Sequence, residues 1–132
     1  MNYIQLRKER EQKYNDLFRE CQVFWAFSNQ QFNEGLEKHN LKKEDLVTYI
    51  GGGFLPKSNV TKLEEGMDTI DKWEEDTIKE FSLVEAHIKY ELSNHECWYT
   101  GDISDAVNVL PYPEEKVLEV YKKYYSEMTA DL

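Results

Sequence analysis

Residues 60–81 carry the strongest constraint on the fold, because apolar side chains recur there at steps of three and four. Such steps return a side chain to the same side of an α-helix. The pattern therefore predicts one long amphipathic helix from about Asn59 to Phe81, with Ser58 or Asn59 as its N-cap. Its apolar positions are Val60, Leu63, Met67, Ile70, Trp73, Thr77, Ile78 and Phe81.

The remaining surface of this predicted helix is mostly acidic. The acids are Glu64, Glu65, Asp68, Asp71, Glu74, Glu75, Asp76 and Glu80, opposed only by Lys62, Lys72 and Lys79. Carboxylates held at regular spacing on a rigid helix can imitate the phosphates of a nucleic acid and occupy a basic channel of a protein. We therefore predict that these eight acids bind a partner. The alternative is an ordinary solvated face of an acidic protein.

The charge of the whole chain, −10, is concentrated in its second part. Residues 1–60 hold nine Lys and Arg against eight Asp and Glu, whereas residues 61–132 hold seven against eighteen. A negative field repels nucleic acid and anionic membranes and attracts basic surfaces. We expect a basic host protein as the partner, with no direct binding of nucleic acid or membrane.

The first half of the chain predicts a mixture of helix and strand. Residues 3–21 have helical periodicity, and residues 23–27 form a short apolar strand followed by a capping box, Ser28 to Gln31, that starts a helix to about Lys38. Residues 46–50 are β-branched and aromatic, and Gly51, Gly52 and Gly53 turn them into a hairpin ending near Pro56.

The second half predicts more helices and one further strand. A helix from Leu83 to about Ser93 has Ser82 as its cap, Cys97 to Thr100 suits a strand, and a short helix ends at Leu110. A last helix runs from about Glu114 to Met128. Since 132 residues suit one core, we expect a single domain over 1–132. The predicted fold class is α+β, with a small antiparallel sheet of about three strands surrounded by about five helices.

Compartment and chemistry follow from what the sequence contains. The first ten residues carry charges where a signal peptide needs apolar residues, so we expect a cytoplasmic protein.

Gly51, Gly52 and Gly53 precede Lys57 and Ser58 but do not form a phosphate-binding loop, because Pro56 stands where that loop has glycine. A catalytic pairing of a cysteine with a histidine is expected only by chance, and no catalytic residue is predicted.

A group of metal-ligand side chains lies between positions 91 and 105, namely Glu91, His95, Glu96, Cys97, Asp102 and Asp105. If residues 97–100 form a strand, His95 and Cys97 point to the same side, and Cys21 can join them from the first helix to hold a structural zinc. His87 or an acid would supply the fourth ligand. The alternatives are an ion-paired histidine with two packed thiols, or a metal-dependent enzyme centred on His95.

Three segments carry a resemblance to a known group of proteins: residues 24–35 (FWAFSNQQFNEG), 49–54 (YIGGGF) and 90–102 (YELSNHECWYTGD). Together they resemble small uncharacterised proteins carried by phages and other mobile elements of Firmicutes and Bacteroidota. The resemblance implies a mobile-element origin, and small acidic phage proteins of this kind include anti-CRISPR inhibitors. The leading hypothesis is a phage-encoded inhibitor of a host defence nuclease.

The third hypothesis, beside this inhibitor and the metal-dependent enzyme, is a structural or regulatory phage protein. It would self-assemble through Tyr121, Tyr124 and Tyr125.

Overall fold

The computed structural model describes all 132 residues. The chain forms seven α-helices and three short strands, and two single 3₁₀ turns, Lys43–Asp45 and Lys57–Asn59, precede β2 and α3. In chain order the elements are α1 (Tyr3–Glu20), β1 (Phe24–Trp25), α2 (Asn29–His39), β2 (Leu46–Tyr49), β3 (Gly53–Pro56), α3 (Val60–Glu80), α4 (Val84–Asn94), α5 (Cys97–Thr100), α6 (Ser104–Val109) and α7 (Glu114–Thr129). The predicted α+β class is confirmed. None of the helices has the length and hydrophobicity of a membrane span.

The chain divides into two compact units. The first, called here the sheet unit, comprises Ile4–Glu75 and contains all three strands. The second, called here the helical unit, comprises Met1–Tyr3 and Asp76–Leu132. The expectation of a single domain over residues 1–132 stays a prediction.

The sheet is antiparallel, with strand order β1-β3-β2. Val47 pairs with Leu55 and Tyr49 with Gly53, so the loop through Gly51 and Gly52 closes a tight hairpin. Both of these glycines have positive φ angles, 70° and 84°, which explains the choice of glycine there. The predicted hairpin is confirmed.

Helix α2 packs closely on β1. A Cβ atom at Gly35 would lie only 2.3 Å from the ring of Phe24, so only glycine lets α2 approach this ring. Ser28 caps α2 by accepting a hydrogen bond from the backbone N–H of Gln31 at 3.2 Å. The Gln31 side chain in turn accepts from the N–H of Phe27 at 2.7 Å, one residue before the position expected for a capping box.

Each unit has its own cluster of buried apolar side chains. In the sheet unit, α1, the sheet and α3 together bury Leu17, Cys21, Val23, Leu55, Leu63 and Ile70. In the helical unit, helices α4 to α7 bury Ile88, Leu92, Cys97, Trp98, Ala106, Leu110, Val117 and Val120. The buried positions of α3 in the sheet unit repeat at helical spacing, as the sequence pattern requires.

Four helices are followed by a residue in the left-handed conformation that is not glycine. These residues are Gln22 after α1, Asn40 after α2, Ser82 after α3 and Glu96 after α4. After α3, the N–H of Leu83 donates to the carbonyl of Ile78 and the N–H of Ser82 to that of Lys79, which is a Schellman motif. Ser82 therefore terminates α3 and is not the predicted N-cap of α4, whose cap position is Leu83.

The prediction of a strand at residues 97–100 is wrong. These residues form the short helix α5, entered through the left-handed Glu96 and ended by the left-handed Gly101. Cys97 and Trp98 are buried by this turn, while Tyr99 is exposed. An apolar and aromatic run of four residues satisfies a buried strand or a buried helical turn equally well, so periodicity could not distinguish them. The structure also has seven helices where about five were expected.

Candidate functional site

Four carboxylates of α3 lie along one face of the helix. Glu64, Asp68, Asp71 and Glu75 are separated by four, three and four residues, and all four are exposed. At 3.6 residues per turn, this spacing keeps them within a narrow sector and about 5.5 Å apart along the axis. We call these four residues the acidic line. All of them belong to the sheet unit.

The carboxylates at the beginning of the acidic line have no partner within the protein. The side chains of Glu64 and Asp68 make neither an ion pair nor a hydrogen bond. Asp71 accepts one long hydrogen bond, 3.4 Å, from the hydroxyl of Tyr14 on α1. The pKa of Tyr14 is raised by burial and by the negative charge of Asp71, so its hydroxyl stays a donor. Glu64 and Asp68 therefore place uncompensated negative charge on the surface of α3.

The other four predicted acids lie elsewhere. Glu74 faces α1, where Arg10 Nε lies 2.6 Å from its Oε2, in a half-buried pair that is electrostatic and not a well-directed hydrogen bond. Glu65 is exposed about a quarter-turn away from the acidic line. Asp76 and Glu80 are exposed and belong to the helical unit. The eight acids thus form one line of four and four separate positions.

Aromatic side chains flank the acidic line, a feature that the sequence pattern does not predict. The hydroxyl of Tyr49, at the end of β2, lies 3.7 Å from the sulfur of Met67, which adjoins Glu64 and Asp71 on the helix surface. The ring of Tyr49 lies 6.0 Å from that of Phe18 on α1. Because these contacts join segments more than 17 residues apart, only a long-range pairing prediction could have found them.

The loop around His95 contains a simple ion-pair geometry. His95 Nε2 lies 3.2 Å from Glu91 Oε2, one helical turn earlier. Cys97 follows the left-handed Glu96, and its thiol lies 3.9 Å from the backbone carbonyl oxygen of His95. The prediction that His95 and Cys97 point to the same side of a strand is therefore wrong, because no strand exists there.

The two cysteines are fully buried free thiols. Burial raises the pKa of Cys21 and of Cys97, which favours the protonated thiol over the thiolate that binds metals or attacks substrates. The structure gathers no group of three or more His, Cys, Asp and Glu residues that could hold a metal ion. The structural zinc at Cys21, His95 and Cys97, and the enzyme centred on His95, stay predictions.

Comparison with known proteins identifies a family. Residues 6–127 match a family of unknown function (DUF7659), and the chain belongs to that family. Neither a curated protein nor a solved structure matches the chain. The match spans nearly all of the sequence and covers most of both units described above.

Proposed function

We propose that this protein binds a basic surface of another protein through the acidic line of α3. The observation that carries the proposal is the alignment of Glu64, Asp68, Asp71 and Glu75 on one exposed helix face, with Glu64 and Asp68 unpartnered. A helix fixes the spacing of these charges before binding, so little conformational entropy is lost when cations meet them. Complementary charge of this kind mainly raises association rates and excludes wrong partners.

The more specific form of the proposal is inhibition of a host defence nuclease in the cytoplasm. A basic channel that holds a nucleic-acid backbone recognises phosphates largely by charge and spacing. A rigid row of carboxylates can occupy such a channel and exclude the nucleic acid. This form is supported by the charge arrangement and by the resemblance to small acidic proteins of phages, and it requires neither a catalytic residue nor a cofactor.

The test is displacement of labelled target DNA from a panel of purified RNA-guided nucleases. In a double variant, Glu64→Lys with Asp68→Lys, two unpartnered acids become cations, which changes the charge by +4. We expect the concentration for half-displacement to rise roughly tenfold or more. We also expect displacement by the native protein to weaken as the salt concentration rises.

The matched control is Glu127→Lys with Asp131→Lys, which makes the same charge change at exposed acids of the helical unit. This control should displace DNA like the native protein once circular dichroism shows that both variants are folded. Equal displacement by the acidic-line variant and the native protein would show that the acidic line is not the binding surface. If no nuclease of the panel is inhibited, the nuclease form of the proposal is wrong.

A further inference from the structure

An exposed apolar patch lies at the tip of the β2–β3 hairpin. Phe27 is 77% exposed, Ile50 79% and Trp25 40%, and all three belong to the sheet unit. We call these three residues the hairpin patch. Single exposed apolar side chains are common, but a group of three large ones on neighbouring segments is typical of a contact surface.

Backbone contacts hold the hairpin patch in place. The indole N–H of Trp25 donates to the carbonyl of Ile50 at 3.2 Å, and the N–H of Ala26 donates to the carbonyl of Gly52 at 3.1 Å. A Cβ atom at Gly52 would lie 2.9 Å from the ring of Phe27, so glycine allows this ring to rest on the hairpin backbone. The apolar side chains are thus presented in a fixed arrangement.

A continuous series of contacts joins the hairpin patch to the acidic line. The rings of Trp25 and Phe18 meet edge to face, with centroids 5.3 Å apart, and the ring of Tyr14 lies 5.7 Å from Phe18. Tyr14 then donates its hydrogen bond to Asp71. On the other side, Trp25 contacts Tyr49, whose hydroxyl reaches α3 at Met67. Packed side chains of the sheet unit therefore connect the exposed apolar residues of the hairpin patch to the acidic line.

We propose that the hairpin patch binds an apolar side chain of a basic polypeptide whose cationic residues meet the acidic line. The inference rests on the proposed function and adds the composition of the partner segment, an apolar residue among Lys or Arg. Protein interfaces combine a dehydrated apolar centre with a polar and charged margin, and the apolar anchors supply most of the affinity. The acidic line then sets the charge of the partner, and the hairpin patch sets its apolar anchor.

The sign of the charge favours a basic polypeptide over a second copy of the chain as the molecule that binds this surface. A second copy of the chain carries the same net charge of −10, so it offers no excess of cations to the acidic line, and like charges oppose association. An anionic lipid surface is disfavoured for the same reason. A basic polypeptide is the occupant that gains from both parts of the surface.

The test uses two labelled peptides, six lysines around a central leucine and six lysines around a central serine, with fluorescence anisotropy as the readout. For the native protein we expect the leucine peptide to bind about tenfold more tightly, the effect of burying one aliphatic side chain. In Phe27→Ser with Ile50→Ser this preference should vanish, while the serine peptide binds as before. The control, Tyr99→Ser with Val109→Ser, removes two exposed apolar side chains of the helical unit and should keep the preference.

The outcomes separate this inference from the proposed function. If the native protein shows no preference for leucine, or the hairpin variant keeps it, the inference is wrong while the acidic line stands. If Glu64→Lys with Asp68→Lys binds both peptides like the native protein, the proposed function fails. A dimer in sedimentation that the hairpin variant abolishes would assign the patch to a second copy. The indole N–H signals in an NMR spectrum add a local readout, since the leucine peptide should shift Trp25 and leave Trp98 unchanged.

Discussion

The two units differ in how many acidic residues they contain and in how these residues are arranged. The sheet unit has eleven Lys and Arg against fourteen Asp and Glu, whereas the helical unit has only five against twelve. Judged by amount alone, the helical unit would be the acidic binding surface. Its acids, however, are spread over the end of α3, helices α4 to α7 and the segments beside them, and several are engaged in pairs.

The arrangement of the carboxylates favours the sheet unit instead. In the helical unit, Glu85 accepts hydrogen bonds from Lys123 at 3.0 Å and from Tyr124 at 2.6 Å, and Glu91 is paired with His95. In the sheet unit, Glu64 and Asp68 are unpartnered and aligned on one helix. Net charge alone would therefore favour the helical unit, whereas the alignment and pairing of individual carboxylates favour the acidic line, on which the proposed function rests.

The largest effect is expected from substitutions that weaken the buried cluster of each unit in turn. Leu55 in the sheet unit and Leu92 in the helical unit are buried, so Leu55→Ala and Leu92→Ala should each lower the free energy of unfolding by about 3 kcal/mol. Because a chain of this length is expected to have one cooperative core, both should shift a single transition in urea. Circular dichroism and tryptophan fluorescence that give two separate midpoints would contradict the prediction and make the units independent domains.

A smaller effect, confined to the sheet unit, is expected from Gly35→Ala. The added methyl group would meet the Phe24 ring, and overpacking of this kind costs about 1–3 kcal/mol, partly offset by the better helix propensity of alanine. The net expectation is a loss of about 1 kcal/mol in urea unfolding. Asn33→Ala, at an exposed position of the same helix, is the control and should be neutral or slightly stabilising. A stabilised Gly35→Ala would show that α2 and β1 do not pack this closely.

A stabilisation is expected from Ser82→Gly at the end of α3. Ser82 has φ 54°, and glycine adopts this left-handed conformation without the steric penalty of a side chain, so stability should rise by about 0.5–1 kcal/mol. Ser126→Gly is the matched control, because the same change inside α7 should lower stability by a similar amount. Thermal melts of the two variants should move in opposite directions, and a fall in both would contradict the prediction.

The smallest effect concerns pH and the helical unit. The hydrogen bond from Tyr124 and the ammonium group of Lys123 lower the pKa of Glu85, so its carboxylate stabilises the folded chain above the ordinary pKa of glutamate, about 4.3. That stabilisation is lost as the pH falls through the lowered pKa. Glu85→Gln should therefore be less stable than the native protein at pH 7, and the difference should shrink in acid.

Glu127→Gln, at an exposed acid without a partner, is the control for this pH series and should follow the native protein throughout. Urea midpoints measured between pH 2 and 7 provide the comparison. A constant difference between native protein and Glu85→Gln across this range would show that the pair with Tyr124 and Lys123 does not depend on the charge of Glu85.

Much of the fold could be predicted from local sequence patterns. The periodicity of α1, α3 and α7 and the turn chemistry of the hairpin act over a few residues, and each of these elements is present as predicted. Residues 97–100 were misassigned because the left-handed backbone of Glu96 redirects the chain into a helical turn, and nothing in glutamate itself signals that conformation.

The candidate surface was only partly predictable for a different reason. The spacing of Glu64, Asp68 and Asp71 is visible in the sequence. The ion pair that turns Glu74 toward α1, however, depends on Arg10, which is 64 residues away in the chain. The aromatic contacts from Tyr14 to Trp25 and Tyr49 likewise need the tertiary structure. The sequence pattern therefore predicts where the carboxylates lie on the helix, but not which of them have a partner within the protein.

The buried cysteines have a consequence for following the motions of the chain. Cys21 lies in the core of the sheet unit and Cys97 in that of the helical unit, and both are fully inaccessible protonated thiols. A thiol reagent can modify either one only when its surroundings open, so the labelling rate of each cysteine reports the opening of its own unit. The sequence thus contains one cysteine probe in each unit. Mass spectrometry of the two cysteine peptides measures both labelling rates in one experiment.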